Sequence, residues 1–278
     1  MFEHWKFTKE YSLLKYLHQF TNIPVPKVLH INGTKQIIPY KYFITEYIPG
    51  KSLEELEPHL DPTCLKTIFC ELGRYLSELH HITFQKFGGI EPQNGTLTVG
   101  PLRDGGYCDG PFTSWKQSIL SLYSYYLNKI TNITPFSDLV DTCKNYLKTN
   151  VHLAKCETPT LIHKNLYEKS NILIHNNHIS GLLDFEWAEA AHNEYELAQI
   201  RMMLNKLSNQ DKTELWHSFL SKYQIPLSPN FENGAQFYMF LELIHFMNVW
   251  DFINHKYSSK NQIEIIKDIH QTILNLIN

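Results

Sequence analysis

No stretch of the sequence approaches the roughly 18 consecutive uncharged apolar residues of a membrane-spanning helix. The opening segment MFEHWKFTKEYSLL also lacks the apolar run of a signal peptide. Cysteine is scarce and scattered. The five residues Cys64, Cys70, Cys108, Cys143 and Cys156 form no Cys-x-x-Cys pair and leave an odd count. Zinc knuckles and a disulfide framework are therefore not expected, and a soluble protein of the reducing cytoplasm is. Arginine is nearly absent: only Arg74, Arg103 and Arg201 stand among the 25 basic residues. The formal net charge of −3 excludes the overall basicity of a nucleic-acid binder, so neither nucleic acid nor membrane is an expected partner.

What is present is enough apolar material for a real core. Hydrophobic residues make up 43% of the chain and charged residues only 19%, so it is not a disordered polymer. A length of 278 residues suits one large domain or two small ones.

Residues 9–20 place Leu13, Leu14, Leu17 and Phe20 on one stripe, predicting an amphipathic helix. Pro24 and Pro26 exclude helix from the next segment, which turns extended through Ile31. Residues 40–48, YKYFITEYI, are dense in aromatic and β-branched residues and read as a strand ending at Pro49-Gly50. Apolar residues three and four apart predict helices over 65–82, 114–130 and 136–151, with Ser114 and Ser137 as caps. Between them, 83–113 is rich in Gly, Pro and Asp and reads as a long ordered loop. Within 160–187, the apolar runs NILI and ISGLL flank His175-Asn176-Asn177-His178, which predicts a β-hairpin. Helices near 194–207, 209–223, 233–255 and 261–277 close the chain.

The hairpin carries the chemistry. Asn171 begins its first strand and Asp184 follows its second, thirteen positions on. A turn at 175–178 would bring their oxygens side by side. Such an oxygen pair suits Mg2+, which keeps few protein ligands and completes its octahedron with water and phosphate. On spacing alone, Asn171 capping a loop and Asp184 closing a turn is the favoured reading. His80-His81 reads as a capping or surface pair. Glu186, Glu189 and Glu194 form either an acidic patch for a cationic substrate or a solvated turn.

The segment LIHKNLYEKSNILIHNNHISGLLDFEWAEAAHNEYELAQI resembles the catalytic segment of the aminoglycoside phosphotransferase and choline-kinase-like superfamily. Around it, KEYSLLKYL, VPKVL, FITEYIPGKSL, LGRYLSELHHI, FGGIEP and SWKQSIL are similar to that family's other elements in the same order. The resemblance implies an α+β, protein-kinase-like bilobal fold. Its N-terminal lobe would be reduced to one helix and about two strands (1–49), with only nine residues before Glu10. The C-terminal lobe (50–278) would be mainly helical and carry the catalytic hairpin. It further implies Asn171 and Asp184 as Mg2+ ligands, ATP or GTP as cofactor, and a bracing role for His163. Adenine would meet the backbone near Glu46, Tyr47 and Ile48. Glu10 would be the ion-pair glutamate, and Glu196 would hold the catalytic loop from below. Trp187 would pack under the metal loop. The expected substrate is the hydroxyl of a small molecule. If that molecule is cationic, Glu186 and Glu189 are the candidates to meet it.

Two departures bear on activity. The family's catalytic Asp is Asn165 here, and an amide cannot accept the proton of a substrate hydroxyl at neutral pH. His163 and Asn171 stand eight positions apart where the family motif has seven. The sequence therefore supports two readings: a weakly active or inactive phosphotransferase, or a degenerate pseudokinase that binds or scaffolds. The exposed edge of the 40–48 strand is a candidate surface for a homodimer.

Overall fold

A computed structural model describes residues 4–93, 95–207 and 211–277. Helix α1 (His4–Phe20) begins five residues earlier than the periodicity predicts, because Phe7 and Lys9 also turn inward. Leu13, Leu14 and Leu17 are buried as expected, whereas Phe20 ends the helix exposed. Strands β1 (Val28–Asn32) and β2 (Tyr42–Thr45) pair antiparallel in a two-stranded ribbon. One face of the ribbon meets α1, with Phe43 against Phe7 and Tyr11. Leu29 and Ile44 remain exposed on it.

The chain then crosses into the larger body. Strand β3 (Lys51–Ser52) leads into the short helix α2 (Leu53–Leu56), which Ser52 caps through the Glu55 amide. Helix α3 (Pro62–His80) follows; Asp61 caps it through the amides of Thr63 and Cys64. Residues 83–113 are not the loop that their Gly and Pro content suggests. They hold β4 (Gly88–Gln93), β5 (Thr96–Gly100), β6 (Leu102–Asp104) and β7 (Tyr107–Asp109). Their glycines serve close strand approach: a Cβ on Gly88 would lie 2.3 Å from the Gly100 carbonyl oxygen. Composition hides strands of this kind.

Helix α4 (Trp115–Ile130) starts at Ser114, whose side chain accepts from the Gln117 amide. Helix α5 (Val140–Asn150) starts after a 3-10 turn, and Ser137 does not cap it. Strand β8 (Thr160–Ile162), the hairpin β9 (Ile172–His175) and β10 (His178–Leu182), and β11 (Glu189–Ala191) make up the predicted hairpin region. Helices α6 (Asn193–Asn205), α7 (Lys212–Leu220), α8 (Phe231–Ile253) and α9 (Ser259–Ile277) complete the chain. Among the described residues, no helix is long and apolar enough to cross a membrane.

Two sheets position the site. One has the order β10-β9-β3, the other β5-β4-β11-β8. Strands β8 and β11 run between two hydrophobic cores. Leu161 and Ala190 face the core built on α3 and the hairpin. Ile162 and Ala191 face the one built on α4 and α8. A strand buried on both sides explains why the adjacent Leu161 and Ile162 are both apolar.

Candidate active site

The loop after β8 is held from below. Glu196, in the first turn of α6, is fully buried and accepts the backbone N–H groups of His163 (3.2 Å) and Lys164 (2.7 Å). His80, from the end of α3, meets the same carboxylate through Nε2 at 2.8 Å and the Tyr223 hydroxyl through Nδ1 at 2.9 Å. Burial pushes the Glu196 carboxyl up. The His80 hydrogen bond and charge, with the loop amides, outweigh it and hold the group below the usual carboxylate range. His80 is thus a buried structural residue, while its neighbour His81 caps α3 on the surface side. The stripe Leu72, Leu76, Leu79, His80 was the available signal, since His80 follows Leu76 by four.

His163 orders the next layer. Its Nε2 lies 2.7 Å from the Leu183 carbonyl, which can only accept, so Nε2 carries the proton. Nδ1 then accepts from the Asn165 amide at 3.2 Å. Burial lowers the His163 pKa and keeps the ring neutral.

The hairpin delivers the rest. The Leu183 amide donates to the Asn171 carbonyl at 2.9 Å, which sets Asp184 beside the start of β9. Asn171, itself buried, donates Nδ2 to the Asn165 carbonyl at 3.0 Å. Asn165 Nδ2 in turn donates to Asp184 Oδ2 at 3.3 Å. His163, Asn165, Asn171 and Asp184 therefore form one connected group. Lys164 and Asp184 both adopt left-handed backbone, with φ of 70° and 66°. Such strain at two positions around one cluster is characteristic of functional loops. A 3-10 turn at Lys169–Asn171 leads from the loop into β9.

Asn165 fits this geometry in a way a carboxylate would not. An Asp at the same place would set two like charges about 3.3 Å apart. The donor sets suit a hard divalent cation. With its amide nitrogen turned to Asn165, Asn171 retains Oδ1 as an oxygen donor, and Asp184 retains carboxylate oxygen. Among the described residues no three His, Cys, Asp or Glu side chains converge as a metal cage. A two-oxygen site completed by phosphate and water is the form Mg2+ accepts.

Helix α1 lies against the turn that follows Asp184. The Glu10 carboxylate accepts from the Phe185 amide, and its pKa is pushed up to about 7 by burial, then by Asp184 and Glu186. Beside it, Lys9 is 4% exposed, donates to the Ala188 carbonyl at 3.1 Å, and is lowered to about 7, mainly by burial. Lys6 pairs with Glu186 at 3.1 Å and stands 3.2 Å above the Trp187 ring. Glu189 is buried and pairs with Lys164 at 2.8 Å. Glu186 and Glu189 are thus both neutralised by lysines of this chain and do not form a free acidic patch. Glu194 is buried too and accepts from Ser228. The sequence did not reveal these lysines, because a lysine on an amphipathic helix usually marks a solvated face.

Of the hinge residues, the Glu46 amide donates to the Lys27 carbonyl at 2.8 Å, and Tyr47 is exposed. Ile48 packs over Gly181 of β10, where a Cβ would lie 2.8 Å from its Cδ1. The Leu182 amide donates to the Pro24 carbonyl at 2.7 Å, tying the hairpin to the segment before β1.

A family model for a phosphotransferase enzyme family, APH, matches residues 6–213. No curated protein shows significant similarity to the sequence. Among solved structures, ADP-bound aminoglycoside phosphotransferase APH(2'')-Ib aligns over 98% of this chain and 83% of its own, with TM-score 0.63 and 17% identity. A thermostable mutant of APH(4)-Ia, in ternary complex with ADP and hygromycin B, aligns over 98% and 84%, with TM-score 0.64 and 16% identity. The gentamicin complex of APH(2'')-IIa aligns over 97% and 80%, with TM-score 0.58 and 15% identity. At these identities the likeness establishes the fold.

Proposed function

Because this chain belongs to the APH phosphotransferase enzyme family, we propose that it binds ATP or GTP and transfers phosphoryl groups slowly to the hydroxyl of a small molecule. The observation that carries this reading is the linked group Asn171–Asn165–Asp184, braced by His163 at the foot of the hairpin. Asn171 and Asp184 are the residues that would hold Mg2+, whose charge offsets that of the phosphates when it is bound.

The chain's own residues then do the following. His163 and Glu196 fix the loop backbone. Asn165 orients the acceptor hydroxyl by hydrogen bonding but cannot take its proton, which passes to the oxygens of the transferred phosphoryl group or to water. Loss of a general base costs about 10²–10⁴-fold. Phosphoryl transfer depends mainly on positioning and electrostatics, so activity need not vanish with the carboxylate. The lysines of α1 nearest the site do not serve phosphate: Lys6 is on Glu186 and Lys9 on Ala188. With both of these lysines engaged elsewhere, neither steadies the γ-phosphate, and this is the second reason for slow transfer.

A second reading, a nucleotide-binding pseudokinase, is favoured by one observation: Asn165 donates to Asp184 where a catalytic carboxylate would repel it. Reversion separates the two. In a phosphotransfer assay with Mg2+ and ATP over a panel of small hydroxylated acceptors, Asn165→Asp should raise a measurable wild-type rate by less than about 10-fold, because positioning of the γ-phosphate stays limiting. A complete absence of transfer in both proteins supports the pseudokinase. A jump of about 10³-fold would mean that the amide alone silences an otherwise complete site.

A further inference from the structure

A separate cleft of about 530 Å³ runs between the end of α3, residues 155–160, the first turn of α6 and residues 224–228. None of His163, Asn165, Asn171 and Asp184 lines it. Its volume suits a small-molecule ligand. Ile225 and Leu227 give it a half-buried apolar side. At its rim Lys155 and Glu157 pair at 3.3 Å and offset each other.

His192 supplies a donor. The buried Tyr238 hydroxyl accepts from Trp115 Nε1 at 2.9 Å, so its single proton goes to His192 Nδ1, 2.5 Å away. Burial keeps the ring neutral, which leaves the ring proton on Nε2. His192 is 7% exposed and lines the cleft, yet among the described residues Nε2 makes no hydrogen bond. It is not sealed either. The unpaired side-chain atoms without accessible surface are Gln199 Oε1 and Asn248 Oδ1, and both lie elsewhere.

The next two residues supply acceptors. Asn193 is buried, and Nδ2 donates to the Tyr223 hydroxyl at 2.8 Å, which fixes the amide. Its Oδ1 is then unpaired among the described residues and, like Nε2 of His192, not sealed. Glu194 is buried too and accepts from the Ser228 amide and hydroxyl. Among the described residues no lysine or arginine pairs with it. Its Oε2 stands 3.9 Å from His192 Nε2, too far for a direct bond. Polar groups held out of water in this way are costly until a ligand or water meets them.

One donor beside two acceptors selects among ligand groups. A carboxylate would meet His192 but be repelled by Glu194. An ammonium would meet the acceptors but leave the His192 N–H facing a donor. A primary carboxamide has one carbonyl and two N–H bonds. Its O and N lie about 2.3 Å apart, close enough to bridge groups separated as His192 Nε2 and Glu194 Oε2 are.

We propose that this cleft is a second binding site, independent of phosphotransfer, for a neutral small molecule bearing a primary carboxamide. The carbonyl accepts from His192 Nε2, and the N–H bonds donate to Glu194 Oε2 and Asn193 Oδ1. The ligand's apolar part lies on Ile225 and Leu227.

Saturation-transfer NMR titrations of the full chain with benzamide, benzoate and N,N-dimethylbenzamide test this. Benzamide should bind wild type about 10-fold or more tighter than either analogue, because one is repelled and the other has no N–H to donate. In Glu194→Gln the preference for benzamide over benzoate should shrink to within about 3-fold, since the repelling charge is gone. In His192→Phe benzamide should weaken about 3–10-fold, as for one neutral hydrogen bond. If that variant does not fold, the wild-type series and Glu194→Gln decide. Excess Mg·ATP should leave benzamide affinity unchanged. No benzamide binding to wild type would overturn the proposal and mean that water alone meets these groups. Equal affinity for the three compounds, a preference unchanged in Glu194→Gln, or displacement of benzamide by Mg·ATP would overturn it as well.

Discussion

At the scale of single residues, the site is a set of polar groups whose partners decide their protonation and charge. Asn165 is the clearest case. Its Nδ2 donates to Asp184, so Asn165→Asp replaces a hydrogen bond with repulsion between carboxylates. Without metal, the variant should lose about 1–3 kcal/mol of stability in urea titrations. Adding Mg2+ should restore more stability to the variant than to wild type, because a cation offsets both charges. Equal stability of the two metal-free proteins would show that residues 165 and 184 do not share the contact described.

His192 gives a pH signature free of the metal site. Burial, with a smaller effect of His80, lowers it to about 3. Its Nδ1 contacts the Tyr238 hydroxyl at 2.5 Å. The folded pKa is depressed below the ordinary value of about 6.5, so in that window the unfolded chain binds the proton and the native state does not. Its share of stability is complete above pH 6.5 and is lost as pH falls. Between pH 6.5 and 5, wild type should lose about 1.6 kcal/mol more than His192→Gln, the slope approaching about 1.4 kcal/mol per unit below pH 6. Parallel stability curves for the two proteins would contradict this.

The site residues were legible where the resemblance to a known catalytic segment carried them. His163, Asn165, Asn171 and Asp184 stand at motif positions, and the hairpin turn brings them together. Lys9 and Lys164 were not legible. Each is polar on an element whose burial depends on what packs over it, and one chain of letters does not record that.

At the scale of elements, packing fixes the geometry. The contact of α3 with α7 is close enough that a Cβ on Gly73 would lie 2.1 Å from the Phe219 carbonyl oxygen. Gly73→Ala must push the helices apart, and α3 carries His80 beneath the catalytic loop. The substitution should cost about 2–3 kcal/mol by denaturant titration despite the higher helix propensity of alanine. A stability gain would mean that α7 lies farther away than described. Long amphipathic helices such as α3 and α4 were readable from periodicity, as was the hairpin from its Asn-Asn turn. Strands β4–β7 were not, because Gly88 and Gly89 allow close pairing while their composition signals a loop. The Ser137 cap failed for a related reason: a 3-10 turn intervenes before α5, so the residue at the apparent start is not the residue at the cap.

At the scale of the whole molecule, two hydrophobic cores flank the strands β8 and β11, and the functional loop leaves from the end of β8 between them. Helix α1 closes over the turn after Asp184 through Glu10, Lys6 and Lys9. The N-terminal ribbon and the hairpin meet through Leu182–Pro24 and Ile48–Gly181. A nucleotide between ribbon and hairpin would bridge these parts, with its phosphates toward Asn171 and Asp184. The central claim is that these two residues form a metal-dependent nucleotide site. Isothermal titration of ATP into wild type and Asp184→Ala, each with and without Mg2+, tests it most directly. The account predicts ATP binding to wild type that strengthens with Mg2+, and loss of that Mg2+ dependence in Asp184→Ala. ATP binding that ignores both Mg2+ and the substitution would contradict it.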